Sequence, residues 1–206
     1  MYKTKIIQTT QNIFNVEYQF EKDEKIIGTA SINKNVLGGI IECRYKSSKY
    51  KLCFDQKAGV RFYCIFDEKE QKLGWMERRY SKGGFLRPGF FYTKVNFYDR
   101  EYNIYDIGLG KKGIYYPCYE SKGEGDGLQI SIMHKNVLVE NLKDTYECLV
   151  KNDDDEVMMI LFALYNDFWN FRHMAQKAVN SKQMQYFYTV NKRLKAKFNP
   201  DFLKDD

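Results

Sequence analysis

Hydrophobic positions in this 206-residue chain follow two regimes. Through residue 151 they alternate with polar ones in short runs rich in aromatic and β-branched residues. Turn-forming residues break the pattern at intervals of about 8–12 residues, as in antiparallel sandwiches and barrels. The runs are 3–9, 13–21, 25–32, 39–46, 49–55, 60–66, 72–80, 90–98, 101–107, 113–120, 127–134 and 145–151. In Leu128-Gln-Ile130-Ser-Ile132 and in Tyr50-Lys-Leu52-Cys-Phe54 the apolar residues share one face, as a strand with one buried side requires. The stretch from Phe20 to Gly28 (FEKDEKIIG) and the stretch from Phe66 to Gly74 (FDEKEQKLG) echo each other as strand, charged turn and partner strand. A further tight turn is predicted at Asp99-Arg100.

The second regime begins at Glu156. The run EVMMILFALYNDFWNF, to Phe171, shows no polar residue between Val157 and Tyr165. A surface helix would show a polar face at every turn, so this helix is expected to be covered all round. It is shorter than the roughly 20 apolar residues of a membrane span. A closed barrel of about twelve antiparallel strands removes its own edges but encloses a wide interior. The helix is predicted to plug that interior, leaving function to the outside. The acids of Asn152-Asp-Asp-Asp-Glu156 suit the start of this helix. Beyond it Met184, Phe187, Val190, Leu194 and Phe198 recur at spacings of three and four, which predicts one amphipathic helix ended by Pro200. The expected organisation is a mainly β barrel over 1–172 with its central helix at 156–171, then a basic helical extension over 173–206.

Composition fits a β-rich globular protein: aromatics make up 17% of residues and there are only 3 prolines. The five cysteines are odd in number and lack CxxC spacing, which suggests reduced thiols used as small core residues. With no signal-peptide pattern at the N-terminus, a cytoplasmic protein, peripheral at the membrane, is expected. His134 and His173 are the only histidines, so no multi-histidine metal site is expected. GxSxG is absent, neither histidine has a serine or cysteine neighbour that suggests a triad, and the expectation is a non-enzyme with no catalytic residues, cofactor or metal.

The net charge of +6 is concentrated late in the chain. Arg172, Lys177, Lys182, Lys192, Arg193, Lys195 and Lys197 occur with no acid between 172 and 199, while the first 171 residues are nearly neutral. This extension could lie on an anionic membrane with Phe187, Leu194 and Phe198 at headgroup level, or dock on the barrel and leave its lysines in water. Alternation also puts Arg44, Lys46, Lys49 and Lys51 on one outer face around a turn at Ser47-Ser48. Such a cluster could hold phosphate groups; the plainer account is solubilising charge on strands. Arg78, Arg79, Lys82 and Arg87 form a second candidate patch. The GxGxxG match at Gly108–Gly113 leads into a strand-like, proline-containing segment, so a glycine-rich turn accounts for it better than dinucleotide binding. The acids at 152–156 lack the ligand alternation of an EF-hand, and helix capping explains them more simply than calcium.

Three stretches carry a family resemblance. They are the hairpin from Phe66 to Gly74, the segment from Tyr102 to Tyr116 (YNIYDIGLGKKGIYY), and the apolar helix of 157–171, last in the barrel. Together they resemble the tubby C-terminal-like superfamily, which includes the LURP-one-related proteins and the phospholipid scramblases, in a bacterial-type form. The resemblance covers about residues 1–172, and the basic extension departs from it. It implies a barrel around a central hydrophobic helix and recognition of phosphorylated lipid head groups at a membrane surface. The candidate lipid- or phosphate-binding residues are then Arg44, Lys46, Lys49, Lys51, Arg78, Arg79, Lys192, Arg193, Lys195 and Lys197. A protein-interaction or scaffold module using the extension's apolar stripe is the alternative. Nucleic-acid binding, with Tyr186, Phe187 and Tyr188 stacking on bases, ranks third because no nucleic-acid motif is present.

Overall fold

A computed structural model describes residues 2–35, 38–57, 60–84, 88–123, 125–136, 143–171 and 174–203, with side chains throughout except at 174–180. Nine strands follow one another as a meander: β1 (Tyr2–Gln11), β2 (Asn15–Lys22), β3 (Lys25–Asn33), β4 (Ile40–Tyr45), β5 (Ser48–Lys57), β6 (Val60–Asp67), β7 (Lys72–Ser81), β8 (Phe90–Phe97) and β9 (Arg100–Tyr105). A two-residue strand β10 (Ile107–Gly108) precedes β11 (Ile114–Lys122), β12 (Gly125–Lys135) and β13 (Thr145–Val150). β13 pairs with β1, and β11 pairs with β9, so twelve antiparallel strands close into a barrel. β10 adds only to β11.

The twelve alternating runs are the barrel strands, with three local departures. The run at 101–107 breaks at Asp106, because that residue's carboxylate leaves the ladder to pair with Arg78. The β8–β9 turn is Tyr98-Asp99, both in the left-handed region, with Phe97 opposite Arg100. The β4–β5 turn is Lys46-Ser47, because Tyr45 pairs with Ser48.

The central helix α1 (Glu156–Phe171) is buried along its whole length except at Trp169. Met158 through Phe162 are wholly inaccessible. Aromatic side chains of the inner wall meet the helix edge-on: Tyr116 on Phe162 at 5.5 Å and Tyr63 on Tyr165 at 5.3 Å. Each such buried side chain contributes roughly 1.5–3 kcal/mol. The polar groups of the plug are held by the wall. Glu156 accepts from the hydroxyls of Thr4 and Tyr45 and pairs with Lys22 at 3.2 Å. Asp155 pairs with Arg100 at 3.0 Å and accepts from Tyr102. Asp167 accepts from the hydroxyls of Tyr18 and Tyr146.

The extension is not one helix. It divides into α2 (Met174–Val190) and α3 (Lys192–Lys195) at Asn191. The Asn191 side chain takes the backbone N–H groups of Arg193 and Leu194 and donates to the Pro88 carbonyl, 2.8 Å away. A capping asparagine with extended backbone stops α2 and starts α3. α2 packs against α1, with Met184 buried in the barrel core, and α2 and α3 together form a strap over part of the outer wall. Leu194, Phe187, Tyr188 and Phe198 pack against Phe90, Tyr105, Ile107, Tyr115 and Tyr119. α2 runs so close to β10 that a Cβ at Gly108 would lie 2.5 Å from the Gln185 nitrogen. That contact, with the left-handed backbone of Gly110 and Gly113, accounts for the GxGxxG spacing.

Candidate functional site

The predicted basic face on β4 and β5 is of mixed charge. Arg44 and Lys49 stand directly opposite each other on the outer wall. Lys51 is opposite Glu42 and pairs with Glu70 at 3.1 Å. All three line a trench of about 710 Å³ shared with Glu17, Glu42, Asp67, Glu68 and Glu70. Carboxylates there outnumber bases, so the predicted bases do not form a face of one sign. Lys46 is not on that face. It occupies the turn with φ 52° and reaches Asp153 at 2.9 Å.

The second predicted patch is not brought together on one face among its described residues. Arg78 is largely buried and makes a two-pronged ion pair with Asp106. Burial alone would lower its pKa; Asp106 more than offsets this and the net shift is upward. Arg79 lies on the outside against Glu77, 2.8 Å away, and over the Trp75 ring. Lys82 is exposed, and Arg87 lies outside the described residues. In the extension, Lys197 pairs with Asp126, whereas Lys192 and Lys195 are exposed. Arg193 donates to Ser81 at 2.7 Å and to the Lys82 carbonyl at 3.0 Å. Lys182 is exposed, the side chain of Lys177 is not among those described, and Arg172 and His173 lie outside the described residues. Of the two expected placements of the extension, the structure has it docked on the barrel, with Phe187, Leu194 and Phe198 packed against the aromatic outer wall.

Meander topology sends alternate connections to opposite rims, and the two rims differ in chemistry. The proximal rim surrounds the start of α1. Its tips include Asp23-Glu24, Lys46-Ser47, Glu68-Lys-Glu-Gln71, Tyr98-Asp99 and the acidic run 152–155, and of these five all but Lys46-Ser47 carry an acid. The distal rim surrounds the end of α1. The described residues joining its strands are 12–14, 34–35, 38–39, 82–84, 88–89, 106–113, 136 and 143–144. Among these described residues the acids are Asp106 and Asp144, both buried and matched with Arg78 and with Lys135, the latter at 2.6 Å. Exposed distal side chains include Ile13 at 84%, Phe14 at 58%, Val60 at 45% and Trp169 at 37%. Tyr2, Ile26, Tyr98 and Leu128 are exposed towards the proximal rim.

No family model matches the chain, no curated protein matches it, and no solved structure matches it.

At the proximal rim the acids are already engaged. Asp153 receives Lys22 and Lys46, each at 2.9 Å, and these hydrogen bonds hold its carboxyl below the usual range. With Glu156 and Asp155 bound to the wall, the run latches the plug. Among the described residues no His, Cys, Asp and Glu cluster has the arrangement of a metal site. His134 stacks on Tyr115 at 4.4 Å, with its Nε2 3.0 Å from the Lys112 carbonyl, and sits beside no nucleophile.

At the distal rim, Lys82, Lys111, Lys112, Lys192 and Arg193 are exposed. Gly83, Gly84, Pro88, Val190, Asn191, Lys192 and Arg193 line a cavity of about 280 Å³. No helix among the described residues is long and apolar enough to cross a membrane. The distal rim is the feature that reading residue by residue missed. Its signal is present in the chain: taking every second connection separates apolar tips from acidic ones.

Proposed function

We propose that the protein is a non-enzymatic barrel, tubby-like in architecture, that docks on anionic membrane surfaces through its distal rim. The segregation of apolar and basic connections at one rim from acidic ones at the other carries this reading. An interfacial surface needs apolar side chains at headgroup depth and bases around them. Ile13, Phe14, Val60 and Trp169 supply the first; Lys82, Lys111, Lys112, Lys192 and Arg193 supply the second. The cavity beside Lys192 and Arg193 offers room for one phosphorylated head group, with glycine backbone at its edge. The acidic proximal rim opposes the reverse orientation. Of the residues first singled out, Lys192 and Arg193 stay in this role, Lys195 adds charge from the strap, and Arg44, Lys46, Lys49, Lys51, Arg78, Arg79 and Lys197 do not.

Cosedimentation with vesicles tests the reading. Binding is expected to vesicles containing phosphatidylserine, to weaken at high salt, and to be negligible on phosphatidylcholine alone. Ile13→Asp with Phe14→Asp removes two inserted side chains, at roughly 1.5–3 kcal/mol each, and should weaken binding at least about tenfold. Ile26→Asp, towards the other rim, should not. Equal loss from both changes, or binding indifferent to either, contradicts the proposal.

The trench supports a second reading, a protein-interaction module, because neighbouring charges of both signs match the polar surface of a partner chain better than a bilayer. For nucleic-acid binding, Phe187 and Tyr188 pack on the barrel and Tyr186 alone of the three named aromatics is exposed.

A further inference from the structure

We propose that Cys53 and Cys64 form a dithiol site on the outer wall that is converted to a disulfide by a small disulfide oxidant of the glutathione class. The two residues are direct partners across β5 and β6. Antiparallel partners have Cα atoms about 4.5–5.5 Å apart, which lies inside the span of about 4.4–6.8 Å that a disulfide bridges. Leu52 and Ile65, the preceding and following residues, are buried in the core, so alternation turns both thiols to the outer wall. Register cannot slip, because each strand is also paired on its other side. The thiols are therefore held as a pair.

Access and selectivity follow from burial. Cys53 is partly exposed and is open to a small oxidant, while Cys64 lies beneath the surface with its S–H directed at Asp55, 3.8 Å away. Cys43, Cys118 and Cys148 are buried, and burial pushes their thiols up, which keeps them out of exchange.

In the first step the Cys53 thiolate attacks glutathione disulfide, forming an S–S bond to one glutathione and releasing the other as thiolate. The Cys64 thiol then gives up its proton and attacks the Cys53 sulfur, expelling the second glutathione. The protein dithiol is oxidised by two electrons, and one glutathione disulfide becomes two glutathiones. Burial raises the Cys53 thiol above the usual range, so the reaction is expected to quicken as pH rises. The product ties β5 to β6. This inference does not depend on the membrane reading.

The test incubates the full chain in glutathione buffers of graded ratio, blocks remaining thiols and maps tryptic peptides. Cleavage after Lys51, Lys57, Arg61 and Lys69 isolates LCFDQK and FYCIFDEK. The expected product links these two peptides within one chain, with the other three cysteines still blocked as thiols. Cys64→Ser should leave Cys53 as its glutathione adduct. A wild-type product that stops at the Cys53 adduct, links two chains, or retains all five thiols overturns the proposal.

Discussion

Asp167 shows how a single buried side chain sets a pH response. It lies on the plug, fully enclosed, between the hydroxyls of Tyr18 and Tyr146. Burial, reinforced by Asp144, raises its pKa from 3.8 to about 6. A carboxyl whose folded pKa exceeds its unfolded one favours folding when protonated. Its contribution is complete below about pH 4 and is lost as pH rises through about 6, up to about 3 kcal/mol in all. Asp167→Asn keeps an acceptor without the charge. Chemical denaturation across that window should show the wild type losing stability relative to the variant as pH rises, with Asp167→Asn equal or more stable at neutral pH. A constant difference between the two proteins would contradict the assignment. Arg78 carries a related lesson. In sequence it is one base of a patch, yet in the fold it is spent on Asp106, 28 positions away. Nothing near Arg78 in the chain marks that partner.

At the scale of elements, the plug makes the strongest demand. Leu161 and Phe162 lie at the middle of α1 with no access to solvent. Placing a carboxylate there strands an unpaired charge among apolar side chains. Leu161→Asp should abolish the cooperative thermal transition and send the protein to the insoluble fraction, whereas Leu161→Ala should fold with a loss of roughly 2–5 kcal/mol. A soluble, cooperatively folding Leu161→Asp protein would mean the helix is not the core. The strands and the plug were legible because alternation and an unbroken apolar run directly record burial. The breaks at Asp106 and Asn191 were not, because each depends on a partner supplied by another element: Arg78 for one, the Pro88 carbonyl for the other. The turn at Lys46-Ser47 differed from the expected Ser47-Ser48 by one position, which moved Lys46 from the outer face to the Asp153 latch. Of the candidate site, the identities of the bases were legible and their neutralisation was not: the carboxylates that meet Lys51 and Lys197 come from Glu70 and Asp126.

At the scale of the whole molecule, the barrel has polarity along its axis. One rim presents acids latched to lysines around the start of α1. The other presents exposed Ile13, Phe14, Val60 and Trp169 and exposed bases around its end. The strap carries the chain back along the wall from the distal to the proximal side, where Phe202 is buried beneath Lys151. It covers aromatic surface, so deleting it would expose Phe90, Tyr105 and Tyr119 and confuse loss of fold with loss of binding. Point changes at the distal rim are the cleaner probe. The two tryptophans provide one more: Trp169 is 37% exposed at the distal rim, and Trp75 stands on the outer wall under Arg79. The most direct measurement of the central claim is emission of a Trp75→Phe protein, in which Trp169 alone reports, mixed with phosphatidylserine vesicles carrying brominated acyl chains. Docking by the distal rim predicts a blue shift and quenching of Trp169 that high salt reverses, with little quenching of Trp75 in the reciprocal Trp169→Phe protein. Bound protein whose Trp169 emission is unchanged, or quenching confined to Trp75, would contradict it.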